Sequence, residues 1–563
     1  MPTNRPNILL LHTDQQRYDS IAALSDLPVV TPNLDQMVHG GLTYTNAHSS
    51  SPFCMPARHD LLTGASARHH GYWQNQALPM ADYGLATLPR MLTAAGYQTI
   101  AVGKMHFHPE REHHGFNHMY LMEELPSTWE NDAYVQYLLA HGLDVRCQHG
   151  VRPVFYPVPQ VSRVPEEHHG SAWIAHKTIE LLQAERDRPF FIWASWVGPH
   201  PPFYVPQAYL DMYEDVDFGP SHLTPSQRDE ADVRPEKDVS LAWVRRFKQG
   251  YFASVTLIDK HVGRILDALA ATGQLENTLV IFTSDHGEML GSRRRFSKTI
   301  PYQESTHVPL ILYGAGVEDA GTRASVATNT WDVAATILDV AGVTPPAGHP
   351  LMGTSLLALD RDDRERIVIS HLYDEERRWV AAITSGHKFI HYHGDGHEEL
   401  YDLVSDPLED VNRIDDPALA ATVTRLRDTC LAFERTQGLP RGADDQGFRT
   451  LGAGPPAPDP DVMVNRSPVP WPFNWTQFPR WMNKATRESP IARPEDLQAI
   501  LREMWDVANS RPDIHLPGDT TWRSQVLAAW QTIGGDPRDI VALFAAVDDR
   551  QAGAGDKEST AGL

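Results

Sequence analysis

The sequence predicts an α/β protein: a large mixed, mainly parallel sheet sandwiched by helices, then a small α+β subdomain and a helical C-terminal extension. Three observations carry this expectation. Stretches 7–13, 97–102, 190–196 and 278–282 each hold a continuous apolar run, Ile8 to Leu11, Ile100 to Val102, Phe190 to Ala194 and Leu279 to Phe282, as strands buried on both faces do. Helical stretches separate them, so crossovers can bring the strands side by side. From Arg366 the pattern changes to short alternating strands near 367–370, 379–384, 388–393 and 399–403, followed by one amphipathic helix over 417–436. The expected divisions are a first domain over 1–365, a small antiparallel-sheet subdomain with a helix over 366–440, and an arm with helices over 441–563.

At 563 residues with 41% hydrophobic content, the chain can bury a sizeable core. Its 72 acidic against 49 basic residues give a net charge of −23, which argues against nucleic acid or an anionic membrane as partner. Three cysteines, Cys54, Cys147 and Cys430, are too far apart for a metal knuckle and odd in number for a disulfide framework. The apolar run near the start is too short for a signal peptide, and no stretch reaches membrane-spanning length. A cytoplasmic, reducing location is therefore expected.

Taken in order, the first run ends in Asp14-Gln15-Gln16-Arg17. Open α/β sheets bind ligands at the carboxyl ends of their strands, so Asp14 is a candidate for chemistry, although alone it also reads as a helix cap. Thr31-Pro32-Asn33 opens a helix with proline in the first turn, and 41–47 reads as a strand feeding the segment around Cys54. The run 97–102 delivers Gly103-Lys104-Met105-His106. On an extended stretch residues two apart point the same way, which puts Lys104 and His106 on one face; singly, both also read as surface residues. Residues 107–170 lack clear periodicity and read as long insertions over the site.

The run 190–196 ends in Gly198-Pro199-His200-Pro201-Pro202, whose prolines stiffen the backbone around His200. The plainer reading is an incidental histidine in a rigid loop, and no zincin-type helix is present. An acidic excursion over 205–245 precedes a helix near 247–272. The run 278–282 then ends in Ser284-Asp285-His286-Gly287-Glu288, a carboxylate and an imidazole side by side, and Lys298 follows twelve residues after His286. A strand over 308–312 and a helix over 332–341 complete the first domain. Beyond 440, a Pro- and Trp-rich arm gives way to three helices.

The segment Ser51-Pro52-Phe53-Cys54-Met55-Pro56-Ala57-Arg58 places a thiol at the mouth of a helical run over 57–62. A helix start with an arginine beside it attracts anions. Cys54 reads as a reactive group in an anion pocket, as a buried inert cysteine, or as a cysteine-phosphatase nucleophile. The last fits poorly, because Pro56 surrenders a backbone N–H that such a loop needs. Asp14, Gln15 and Asp285 offer hard oxygens, which suit Ca²⁺ or Mg²⁺.

In their order and spacing over residues 5–435, six motifs resemble the formylglycine-dependent sulfatases of the alkaline phosphatase superfamily. They are Asp14-Gln15, Cys-x-Pro-x-Arg with Leu-Thr-Gly, Gly-Lys-x-His, Pro-His-Pro-Pro, Ser-Asp-His-Gly-Glu and Lys-x-x-x-Tyr. Many members carry Asp-Asp where this chain has Asp14-Gln15, a form that resembles choline-sulfatase-like and phosphonate-monoester-hydrolase-like members. The resemblance implies an alkaline-phosphatase-like fold and hydrolysis of a sulfate ester, small-molecule or saccharide, to an alcohol and inorganic sulfate. It implies that a formylglycine-generating maturation enzyme oxidises Cys54, and that the hydrated aldehyde is the nucleophile. One divalent cation, usually Ca²⁺ with Mg²⁺ or Mn²⁺ as alternatives, is implied at Asp14, Gln15, Asp285 and His286, with the formylglycine of Cys54 as a further ligand.

Arg58 would then hold the hydrate and Lys104 the sulfate oxygens, while His200, with Lys298 nearby, donates toward the leaving alkoxide. His106 would remove the proton whose loss expels sulfate. One alternative is a phosphonate monoester or phosphodiester hydrolase using the same site. Another is a catalytically silent binding protein on this fold. A homo-oligomer through the C-terminal extension is also expected.

Overall fold

The computed structural model describes residues 5–75, 84–124, 126, 128–143, 159–162, 164–225, 241–373 and 378–451. The expected C-terminal helices and any subunit contact through them lie outside the described residues. An eight-stranded sheet forms the centre: β1 (Asn7–Asp14), β2 (Leu42–Tyr44), β3 (Gln98–Gly103), β4 (His118–Leu121), β5 (Phe190–Pro199), β6 (Thr278–Ser284), β7 (Leu310–Gly314) and β8 (Thr322–Ala324). Their spatial order is β8-β2-β7-β6-β1-β5-β3-β4. Only β7 runs antiparallel to its neighbours, so the sheet is mixed and mainly parallel.

β1 lies between β5 and β6, with Leu9 opposite both Ile192 and Val280. The period-two pleat divides its apolar side chains between the two faces. Ile8 and Leu10 enter one core beneath the helices Cys54–Thr63 and Thr330–Val340, while Leu9 and Leu11 enter the other beneath Gly170–Gln183 and Leu241–Ala271. Burial on both faces is why the central strands read as continuous apolar runs.

A four-stranded antiparallel meander follows, β9 (Val368–Tyr373), β10 (Arg378–Ile383), β11 (His387–Tyr392) and β12 (Glu398–Asp402). The helix Ala420–Thr436 covers one face through Val423, Leu426 and Phe433. The other face packs toward the large sheet, meeting Phe53 and Tyr302.

Three local expectations are corrected. The stretch 107–170 is more than insertion, because His118–Leu121 adds an edge strand to the main sheet and Ala133–Ala140 is a helix. A four-residue strand alternating exposed and buried is too short to register as a period. Lys104 and His106 do not sit on an extended stretch, since β3 ends at Gly103, whose φ of 90° turns the chain, and His106 itself has φ 58°. The helix at the Cys54 segment begins at Cys54 rather than three residues later and runs to Thr63, closed by Gly64 in the left-handed conformation.

Candidate functional site

The carboxyl ends of β1 and β6 and the start of the Cys54–Thr63 helix meet at one point. Asp14 is the last residue of β1, where a register shift between His12 and Asp14 breaks the regular pairing with β5. Asp285 and His286 follow β6 directly. Cys54 is the first helical residue after an extended Phe53, and the Asn75 side chain accepts from the Met55 N–H at 2.9 Å, serving one of the unpaired first-turn donors. Ligand atoms of Asp14, Cys54, Asp285 and His286 all lie within 4.8 Å of one another, and all four residues are buried. The Cys54 sulfur is 3.2 Å from His286 Nε2 and 3.8 Å from an Asp14 oxygen.

Two cations brace this group. The fully buried Arg58 guanidinium donates from Nε to Asp285 (3.1 Å), from one terminal nitrogen to Asp14 (3.2 Å), and from the other to the Lys104 carbonyl (2.7 Å) and Ser195 Oγ (2.9 Å). Lys104 Nζ lies 2.6 Å from Asp14 and 2.5 Å from Glu124. Burial alone would raise the Asp14 carboxyl, but Lys104 foremost, then His200, Arg58 and His286, hold it well below the usual carboxylate range. Asp285 is pushed up, by burial first and by the Asp14 charge second. Burial pushes the His286 imidazole down, keeping it neutral and able to ligate. Two carboxylates and a neutral imidazole converging beside a sulfur form a donor set that fits a metal ion, the hard oxygens favouring Ca²⁺ or Mg²⁺.

Gln15 stands beside this group. Its backbone N–H donates to Asp285 at 3.0 Å, its amide oxygen accepts from Lys298 Nζ at 2.5 Å, and its amide nitrogen donates to Glu288. An acceptor on one side and an ammonium on the other assign the amide orientation. His200 sits in its proline-flanked loop with Nδ1 donating to the Pro201 carbonyl at 2.6 Å, and 3.6 Å from Glu124. Burial pushes its imidazole well below the ordinary value, and Lys298 is near enough to add to that.

His106 is the least connected candidate. Glu123 accepts from the Met105 and His106 backbone N–H groups at 2.8 and 2.9 Å, fixing the turn, while His106 Nδ1 is buried without a hydrogen-bond partner.

Sequence reasoning missed Glu123, Glu124, Ser195 and Asn75. Ser195 lies in the run 190–196, which marks a strand and not a site, and the other three lie in no run or motif; each is tied to the site by a partner distant in the chain. Glu288 was visible in the motif after β6 but carried no assigned task.

A family model described as Sulfatase matches residues 6–343, and one described as N-sulphoglucosamine sulphohydrolase, C-terminal, matches residues 291–436. An arylsulfatase of Clostridium perfringens is 30% identical over 477 residues, covering 78% of this chain and 96% of that protein. A choline-sulfatase of Rhizobium meliloti is 29% identical over 454 residues, covering 76% and 86%. The crystal structure of a phosphonate monoester hydrolase of Agrobacterium radiobacter superposes with a TM-score of 0.63 at 24% identity, over 79% of this chain and 99% of that one, a likeness of fold. With the first family model spanning more than half its length, the chain belongs to the sulfatase family and is a sulfuric ester hydrolase.

Proposed function

We propose that the protein hydrolyses a small-molecule or saccharide sulfate ester with a formylglycine made from Cys54 by a maturation enzyme, beside one divalent cation, Ca²⁺ first. The observation that carries this reading is the buried convergence of Asp14, Cys54, Asp285 and His286 with Arg58 and Lys104 against it. Those four residues, with Gln15 adjoining, would hold the ion, which when bound supplies Lewis-acid stabilisation of negative charge on the transferring group. The aldehyde hydrate supplies the attacking oxygen and, through its second hydroxyl, a route to release sulfate by C–O cleavage that a thiol or serine lacks.

The chain's own residues do the rest. Arg58 orients the two carboxylates and the nucleophile position with a rigid fork. Lys104 places an ammonium where sulfate oxygens gather charge. His200 has Nδ1 committed to Pro201, so Nε2 is the nitrogen that gives its proton to the leaving alkoxide, with Lys298 close by. His106, its Nδ1 unpaired, is the base for the second hydroxyl. The divisions 1–365, 366–440 and 441–563 remain our reading of the domain organisation.

Peptide mass analysis of the Cys54 segment in protein matured by its native host is expected to show the aldehyde. Cys54→Ala should lower turnover of aryl sulfates by at least about a thousandfold, and retained turnover in that variant overturns the mechanism. Matched sulfate and phosphonate esters test the alternative, with kcat/KM expected to favour sulfate.

A further inference from the structure

Glu124 belongs to none of the six motifs, yet it touches two of the groups assigned to substrate. It follows β4 by three residues, with its side chain 13% exposed. One carboxylate oxygen is 2.5 Å from Lys104 Nζ and the other 3.6 Å from His200 Nδ1. A carboxylate in a pocket for an anion is a liability, since like charges repel most where water is scarce. Lys104 already has Asp14 at 2.6 Å, so charge balance on the ammonium does not require a second acid.

His200 supplies a reason for the extra charge. To donate from Nε2 while Nδ1 keeps its hydrogen bond to Pro201, the ring must be an imidazolium. Burial, with Lys298 and Lys104, prevails in the resting site and holds the ring well below its ordinary value; of the groups that work for the imidazolium, Glu124 is the stronger and Asp14 the weaker.

We propose that Glu124 is a positioning residue for leaving-group departure: its carboxylate beside Nδ1 favours the second proton that His200 must carry at that step and tethers Lys104, at the expense of affinity for sulfate. As the S–O bond breaks, the bonding pair goes to the alkoxide oxygen, the Nε2 proton moves to that oxygen, and the alcohol departs, leaving a neutral imidazole beside Glu124. The inference rests on the sulfatase reading for the tasks of Lys104 and His200.

The test compares matured wild-type and Glu124→Gln enzyme on a series from nitrophenyl sulfate to alkyl sulfates, with inorganic sulfate titrated by calorimetry. The variant is expected to lose about tenfold or more in kcat/KM on alkyl sulfates and little on nitrophenyl sulfate, whose leaving group needs no proton. In a His200→Ala background the same change should add no further leaving-group dependence. Inorganic sulfate should bind several-fold more tightly to the variant. A uniform loss across the series, or weaker sulfate binding, overturns the proposal. If Glu124→Gln does not fold, Glu124→Asp, which keeps the charge but shortens the reach, is expected to reproduce the alkyl-ester defect, and its failure to do so also overturns it. Wild-type enzyme inactive on every sulfate ester would instead count against the sulfatase reading, with the calorimetric comparison still judging Glu124.

Discussion

Arg58 joins four groups with one side chain: the carboxylates of Asp14 and Asp285, the Lys104 carbonyl and Ser195 Oγ, one turn along its helix from Cys54. Its planar fork reaches acceptors in several directions at once, which a point-like ammonium does not. Arg58→Lys keeps the charge and loses the geometry. It should cost about 3 kcal/mol in unfolding free energy, because buried acceptors are left unpaired. Chemical denaturation measures this, and a parallel loss of turnover is expected because Asp14 and Asp285 lose their common brace. Gln15 shows the same dependence on neighbours, since Glu288 and Lys298 decide which end of its amide faces the site.

At the scale of the element, the site is built where strands stop. β3 ends at Gly103, with φ 90°, and a Cβ there would lie 2.0 Å from the Ser195 carbonyl on β5. Gly103→Ala must therefore either strain the turn or part the two strands, beside the Ser195 hydroxyl that accepts from Arg58. The expected cost is about 2 kcal/mol or more, read as a lowered Tm, together with reduced kcat because Lys104 follows directly. The small sheet braces the same site from outside. Trp379 donates to the Thr299 carbonyl at 3.1 Å and Lys388 to the Pro301 carbonyl at 3.0 Å, holding the loop that carries Lys298. His371 donates its backbone N–H to the Ser50 carbonyl at 2.8 Å, steadying the approach to Cys54. The second sheet is thus part of the scaffold around the candidate site, although its sequence pattern announces only short strands.

Across the whole molecule, buried histidines set the response to acid. Burial pushes His114, His307 and His371 down to about 4 and His261 to about 2. A histidine depressed in the folded state keeps its stabilising contribution above its unfolded value of about 6.5 and loses it as pH falls toward the folded value. At pH 5 each of the four costs about 2 kcal/mol. Burial has the opposite consequence for Asp132, raised to about 7, and Asp259, raised to about 6, which gain stability as pH falls and together offset about half of that loss. The net expectation is a Tm that drops between pH 7 and pH 5, checked by thermal melts in buffers of matched ionic strength. Among the described residues no helix is long and apolar enough to cross a membrane. How much of this was readable beforehand follows from the range of each interaction. A strand buried on both faces holds a continuous apolar run, so 7–13, 97–102, 190–196 and 278–282 declared the central sheet, and the motif residues at their ends declared the candidates. The turn after Gly103, the edge strand His118–Leu121 and the tasks of Glu123, Glu124 and Glu288 had no such local mark. The sequence by itself determined the central strands and which candidate residues stand at their ends, because side-chain burial writes a pattern along each of those segments. Only the tertiary structure decided which charges face which, because Asp14 and Asp285 become neighbours through the pairing of β1 with β6, and that pairing also selects the carboxylates, amides and carbonyls that surround them.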